Sequence, residues 1–435
     1  MDIKSKHESR LQKAALSCDS FTTGYFVLFA LFIVPHIATG SGRIILWFLP
    51  LACLVPFAVM PLVYFAVHKR DALLFGRYHL VMPLSTFLSA LFFVLIWQDD
   101  GMGVCAFFGT LVFAISIAVY RYCAYSVRAR LSGDNIISVS PYAQVFSAAG
   151  ALGAIGTLCG FMYYDMSTAY INTAYVLSGV SILLSMMQYL ITYYYIPQLG
   201  GRRNQSVKNV FGTFFIGLDK HIYFRSLLFG AAFMCLTALT VFFAFLHGMH
   251  IYYAAIVAAV EAGCYCAARS VFARVLAHRH KSLPAVTFAG IAAASVLLAA
   301  ATLSDVSSGA AMVLASAASG ITGIVGALGV RQAELGFICI KPRITSGTVF
   351  ILLELTGLAA TAIALTVSAA VAEILFATGA VVTVCICGIA ASAVFAAAAL
   401  ASGIKRRSAR TGVEDASDVI EEMSVSASFE ADNDI

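Results

Sequence analysis

Between about residue 20 and residue 403 the chain is a succession of long apolar runs separated by short polar connections. A hydrocarbon core about 30 Å thick takes about 20 apolar residues as an α-helix. Measured against that length, the chain offers twelve candidate spans: 20–40, 44–67, 79–98, 103–127, 142–164, 170–196, 223–247, 250–274, 283–303, 308–330, 346–368 and 371–403. Lipid offers no partner to an open backbone N–H or C=O, so each span must close its own hydrogen bonds as a helix. Composition excludes the other classes. Hydrophobic residues make up 61% of the chain and charged residues 11%, against roughly 25% charged in ordinary soluble domains. The expected fold class is an all-α membrane protein with twelve transmembrane helices.

The bases orient these spans. With the N-terminus and an even number of spans on the inner side, nearly every Lys and Arg falls in an inner segment. These include Lys4, Lys6, Arg10 and Lys13 before the first span, Arg202 and Arg203 in the middle, and Lys405, Arg406, Arg407 and Arg410 after the last. Arg43 alone falls outside, and Arg121 and Arg269 fall within spans. Such asymmetry is the positive-inside pattern, and it predicts a multi-pass protein of the plasma (inner) membrane with both termini cytoplasmic. The polar start of the chain reads as a retained segment rather than a cleaved leader. The domain plan is a cytoplasmic segment 1–19, a six-helix bundle 20–196, a cytoplasmic central loop 197–222, a second bundle 223–403, and an acidic disordered tail 404–435. Val207, Val210, Phe211, Phe214, Phe215 and Leu218 fall at helical spacing and predict an amphipathic helix in the central loop.

A single offset of 201 relates parts of the two halves. Pro83 and Thr86-Phe87, at the start of span three, match Pro284 and Thr287-Phe288 at span nine; Arg130 matches Arg331, and Pro141 matches Pro342. Internal repeats of this kind are common in carriers, whose sites lie between the halves. The eleven cysteines show no zinc-type spacing, and most sit in apolar runs, where a free thiol behaves as a small hydrophobe. No metal and no cofactor is expected.

On this architecture the chain resembles the major facilitator superfamily, over about residues 20–403. The loop His68-Lys69-Arg70-Asp71-Ala72-Leu73-Leu74-Phe75-Gly76-Arg77-Tyr78 corresponds to the family's charged loop between spans two and three. It keeps the charges and the Gly-Arg pair, lacks the first glycine and differs in spacing. The resemblance implies that Arg70, Asp71, Gly76 and Arg77 gate the cytoplasmic side. Gly150, Gly153, Gly156 and Gly160 look like the family's glycine-rich fifth helix, without its usual proline. Glycines so spaced let helices approach closely in lipid.

Ionisable groups inside spans are costly and mark function by default. Glu261 lies near mid-depth of span eight and Glu354 lies in span eleven. A carboxyl shielded from water can load and release a proton as a cavity alternates; the bland reading is a fixed, hydrogen-bonded structural acid. Arg121 could hold an anionic group or pair with an acid, or its head could snorkel to the surface. Arg269, nearer an inner end, reads as snorkelling. His36 toward the outer mouth could titrate, and Gln188 deep in span six could touch substrate or bond between helices. Tyr120, Tyr122 and Tyr125, near a span end, read as interface anchors.

No phosphate-binding loop, zinc-protease or serine-elbow motif occurs, so the chain is not read as an enzyme. The reading is a secondary active transporter that moves a small organic solute by alternating access, proton-coupled, with Glu261, Glu354, Arg121, His36 and Gln188 as its candidate residues. Its partners would be the lipid bilayer and the solute, with no nucleic acid, and it would act as a monomer. The alternative is a transporter-like membrane sensor or accessory subunit without full transport activity.

Overall fold

The computed structural model describes residues 14–15, 17–22, 50, 53–55, 59, 74–97, 104–131, 140–165, 168–195, 220–246, 251–275, 283–303, 308–338, 346–378 and 381–409. Every long element among them is an α-helix: α1 (Leu74–Leu95), α2 (Val104–Leu131), α3 (Ser140–Tyr164), α4 (Ala169–Tyr195), α5 (Lys220–Leu246), α6 (Ile251–Val275), α7 (Leu283–Leu303), α8 (Ser308–Ile338), α9 (Ser346–Thr378) and α10 (Val381–Ala409). By length and apolar character, Tyr142–Tyr164, Ala169–Ile191, Tyr223–Thr240, Pro284–Leu303 and Gly309–Val330 can each cross a membrane. Shorter apolar stretches lie in α1, α2, α9 and α10. The chain is a multi-pass integral membrane protein.

Helix starts follow local chemistry. Ser140-Pro141 opens α3 and Leu283-Pro284 opens α7; proline is tolerated in a first turn, where its missing N–H would lack an intrahelical partner in any case. Pro83 differs. The helix begins at Leu74, so this proline lies inside α1 rather than at its start. There Ser85 donates to the Val81 carbonyl at 2.6 Å and Thr86 to that of Met82 at 2.9 Å.

Other boundaries also move. The break expected after residue 368 does not occur: α9 continues to Thr378, with Glu373 inside the helix instead of in a connection. A single acid among Ala, Val and Ile does not end a helix whose backbone is otherwise satisfied. Helix α8 runs to Ile338 and takes in Arg331. Helix α10 runs to Ala409, six residues into the stretch expected to be tail. Spans one and two, the central loop helix and the acidic tail lie outside the described residues.

Helices α1–α4 pack as one group, through α1 on α2, α1 on α4 and α3 on α4; α5–α10 pack as another around α5 and α8. The groups meet where α3 packs on α6 and α2 on α9. One apolar cluster crosses between them. It contains Phe93, Trp97, Phe113, Ile155 and Leu177 from the first group and Ala238, Ala255, Ala258, Leu365 and Ala369 from the second. These residues come from the C-terminal halves of α1, α3, α5 and α9 and the N-terminal halves of α2, α4 and α6. They therefore share one end of the bundle. Bases near helix ends, such as Arg128 and Arg130 of α2, Lys220 of α5, Arg274 of α6 and Lys405 of α10, belong to the opposite end.

Candidate functional site: a hydroxyl-bound carboxyl and a buried polar seam

Most hydroxyls in these helices bond back to their own backbone. Thr173 donates to the Ala169 carbonyl, Thr322 to Ala318, Thr361 to Gly357 and Thr366 to Ala362, at 2.7–2.9 Å. Such i−4 bonds satisfy a hydroxyl without any tertiary partner. Polar groups that reach another helix are the informative ones; apart from Ser392 of α10, which donates to the Ala232 carbonyl of α5 at 3.0 Å, those described gather in two places.

The first place is Glu261. It sits near the middle of α6 and is only 6% exposed. Thr237 of α5 donates to its Oε1 at 2.5 Å, and Ser319 of α8 lies 3.2 Å from its Oε2. Ser319 also donates to the Val257 carbonyl, one turn earlier on α6, at 2.7 Å. Thr240, one turn further along α5, bonds the carboxyl as well; among the described residues its partners are these three hydroxyls, and no base contacts it. Glycines bring the helices close enough for this. A Cβ built on Gly323 of α8 would collide with the Glu261 carbonyl oxygen and stand 3.0 Å from the Tyr265 nitrogen. At Gly320 the neighbours would be Cys264 Sγ at 3.4 Å and Val260 at 3.5 Å. Further along α8, Gly326 leaves room for the ring of Phe233 of α5.

The second place is a seam between α4 and its neighbours. Ser178, Ser181, Ser185 and Gln188 recur at alternating three- and four-residue spacing, so they line one face of α4, and all are buried. Ser178 donates to the Ala90 carbonyl of α1 at 3.2 Å, and the hydroxyl oxygens of Thr86 of α1 and Ser185 are hydrogen-bonded at 2.9 Å. Thr22 donates to Ser181 at 3.3 Å. At the end of the seam, Tyr120 of α2 donates to Gln188 Oε1 at 2.7 Å, with Gln188 fully buried.

The sequence candidates distribute as follows. Glu261 and Gln188 are each tied to neighbouring helices, but in different groups. Arg121 is 6% exposed and Arg269 is 3% exposed. Both heads are held inside the protein, which corrects the snorkelling reading of Arg269. Tyr120, expected as an interface anchor, is 1% exposed and bonded to Gln188 instead. Glu354 lies in α9, and Gly76 and Arg77 lie in α1; their side chains are outside the described residues. His36, Arg70 and Asp71 lie outside them altogether. Gly153, Gly156 and Gly160 of span five do not make the close approach expected there. A Cβ at Gly156 or Gly160 would meet nothing within 4 Å, and one at Gly153 only Phe21 at 3.8 Å. The tight contacts are elsewhere, at Gly323 and Gly326 of α8 and also at Gly230 of α5, Gly290 of α7 and Gly388 of α10.

Thr237, Ser319 and the α4 serines were not singled out in the sequence. The α4 spacing was legible there. That of Thr237 and Ser319 was not, because each is one Ser or Thr among many in its span.

No protein-family model matches the sequence, and neither does any curated protein. Solved structures do match. A bacterial homolog of the human lysosomal transporter Spinster, in an inward-facing and unoccupied conformation, aligns at TM-score 0.58 and 16% identity over 91% of this chain and 96% of that one. The nucleoside transporter NupG aligns at TM-score 0.62 and 16% identity over 90% of this chain and 98% of that one. Both are major facilitator transporters. At such identity the likeness is one of fold, and it spans nearly the whole of each chain: this protein has the major facilitator transporter fold.

Proposed function

We propose that the protein is a secondary active transporter of a small organic solute, working by alternating access and coupled to protons through Glu261. The proposal includes twelve spans in two six-helix bundles, 20–196 and 223–403, joined by a cytoplasmic loop, with both termini cytoplasmic in the plasma (inner) membrane and the chain acting as a monomer. Arg121 and Gln188 belong to the substrate-facing machinery of the first bundle. Glu354 and His36 are secondary proton or substrate groups. Arg70, Asp71, Gly76 and Arg77 gate the cytoplasmic side.

The observation that carries the coupling role is the environment of Glu261. A carboxyl at membrane mid-depth costs about 2.5–3.5 kcal/mol on insertion scales, and a structural acid would be expected to meet a base there. Glu261 instead meets hydroxyls from two other helices. Hydroxyls can serve a carboxyl in either protonation state, since each both donates and accepts. Alternation is supported by the apolar cluster, which joins the two groups of helices at the end away from the bases. That arrangement suits a state closed on the outer side, and the Spinster homolog it resembles is inward-facing.

The test begins with thermal stabilisation of the purified protein by a panel of small solutes, since a ligand that binds only the folded state raises apparent stability. A stabilising solute is then given to proteoliposomes under an imposed pH gradient. Gradient-driven movement that disappears in Glu261→Gln, with solute binding kept, is the expected result. Unchanged pH-driven movement in that variant would remove Glu261 from the coupling role. Binding without movement in the native protein would favour the sensor reading.

A further inference from the structure

We infer that Thr237 and Ser319 form a two-state cradle for the Glu261 proton, in which Thr237 is a fixed donor and Ser319 reverses its hydrogen bond as the proton comes and goes. The inference rests on the coupling role proposed above, and it names the positioning residues for that role.

The reasoning is a count of hydrogens. Each hydroxyl has one hydrogen and each faces two acceptors; Thr240, whose hydroxyl also bonds Glu261, keeps its second acceptor in the Thr237 carbonyl at 2.9 Å and stays a spectator in the count. Thr237 Oγ1 is 2.5 Å from Glu261 Oε1 and 3.1 Å from the Phe233 carbonyl. Ser319 Oγ is 2.7 Å from the Val257 carbonyl and 3.2 Å from Glu261 Oε2. The shorter contact of Thr237 is to the carboxyl; the shorter contact of Ser319 is to the backbone.

With Glu261 ionised, both hydroxyls turn to the carboxylate and each oxygen receives a donor. Neither carbonyl is stranded, because Phe233 and Val257 both lie within helices whose backbone bonds use them already. With Glu261 protonated, the acid hydrogen on Oε2 needs an acceptor. Ser319 supplies it by turning its own hydrogen to the Val257 carbonyl, while Thr237 still donates to Oε1. No buried polar atom of the triad lacks a partner in either state, so neither protonation state carries the penalty of an unsatisfied group. A carboxyl fixed by a base would favour one state strongly. The proton balance is simple: one proton enters Oε2, and the Ser319 hydrogen rotates without leaving its oxygen.

Other titratable groups do not substitute for Glu261 here. Among the described residues, α6 itself carries Tyr253, Cys264, Tyr265, Cys266 and Arg269. Helix α5 presents Tyr223, Arg225 and Cys235, and α3 presents Tyr142, Cys159, Tyr163 and Tyr164. Helix α8 presents no titratable group whose side chain is described. Glu261 is the only carboxyl among these described side chains.

Infrared difference spectroscopy of the full chain in proteoliposomes, titrated with pH and no solute, tests the cradle directly. The carbonyl stretch of a protonated carboxyl should appear as pH falls and be missing in Glu261→Gln. In Ser319→Ala its titration midpoint should move to higher pH by about one unit, as expected when a bond to a charged acceptor is lost along with a weaker one to the neutral form. In Thr237→Val the carbonyl band should move to higher frequency, because its donor is gone, and Thr237→Ser should restore it. The cradle is overturned if Ser319→Ala leaves the midpoint in place, or if Glu261→Gln leaves the band in place. Because the titration needs no transport, a native protein that titrates but moves nothing would refute the transporter reading and leave the cradle standing.

Discussion

The two groups of helices solve the same problem, buried polar atoms in an apolar bundle, in opposite ways. Between α1, α2 and α4 the solution is a seam of neutral groups spread over several turns, from Thr22–Ser181 and Ser178–Ala90 to Thr86–Ser185 and Tyr120–Gln188. Between α5, α6 and α8 polarity is concentrated on one ionisable carboxyl, with the hydroxyls of Thr237, Thr240 and Ser319 around it and glycines behind it. A distributed seam fixes packing and loses little when one link is cut. A concentrated site has a single group whose change of charge alters everything around it. Under the proposed function the seam is the scaffold that holds Gln188 in place, and the second group supplies the moving charge.

The largest effect should come from exchanging these roles. Glu261→Gln keeps size and hydrogen bonding but cannot ionise, so pH-driven movement should fall to background while thermal stability stays near native. Gln188→Ala should leave coupling to protons in place, even where it weakens solute affinity. If both variants abolish coupling to the same degree, the division between scaffold and moving charge is wrong.

Packing gives the next largest contrast. Gly323→Val should cost about 1–3 kcal/mol, toward the upper end, because the obstacle is the α6 backbone rather than a flexible side chain. A denaturing-detergent titration with a tryptophan or circular-dichroism readout measures it. A loss below about 0.5 kcal/mol would mean that α6 and α8 stand further apart than described. Tyr120→Phe in the seam should cost less, about 1 kcal/mol, which lies within the range for interhelical hydrogen bonds in membranes and reflects loss of the Tyr120 donor to Gln188 Oε1.

How much of this could be read from the sequence depends on how rare each signal is. Glu261 and Gln188 were legible because an acid or amide is rare inside an apolar run, and mid-span depth follows from counting residues. The helical class followed from the same runs, and eight of the ten long helices begin within three residues of where the hydropathy placed a span. The exceptions are α1, which starts five residues early at Leu74, and α10, which starts ten residues late because Ala and Val carry α9 through Glu373. Thr237 and Ser319 were not legible: a mid-helix hydroxyl usually bonds its own i−4 carbonyl, as Thr322 and Thr366 do, and only the neighbouring helix decides otherwise. Tyr120 was misread because the span was ended at 127. With α2 running to Leu131, that ring sits three turns inside the helix. The glycines of span five were visible as a stripe, but a stripe does not say in which conformation it is used.

That last point can be tested, and its expected effect on stability is the smallest. Gly156→Ala adds a methyl that meets nothing within 4 Å, and alanine is the better helix former by about 0.8–1.0 kcal/mol in exposed peptide helices. In a membrane span, where the helix is already enforced by lipid, the gain should shrink to about 0.5 kcal/mol or less. Stability should therefore be unchanged or slightly raised. Transport need not follow stability. Helix α3 packs on α6 across the junction between the two groups, so a thin α3 surface is useful only if the groups close there in another state. If they do, Gly156→Ala should slow the transport cycle while leaving solute binding and melting temperature alone. Equal rates in the two proteins would mean that this face of α3 meets lipid throughout the cycle, and the tight glycines of α8 would then be the ones that set how the helices move.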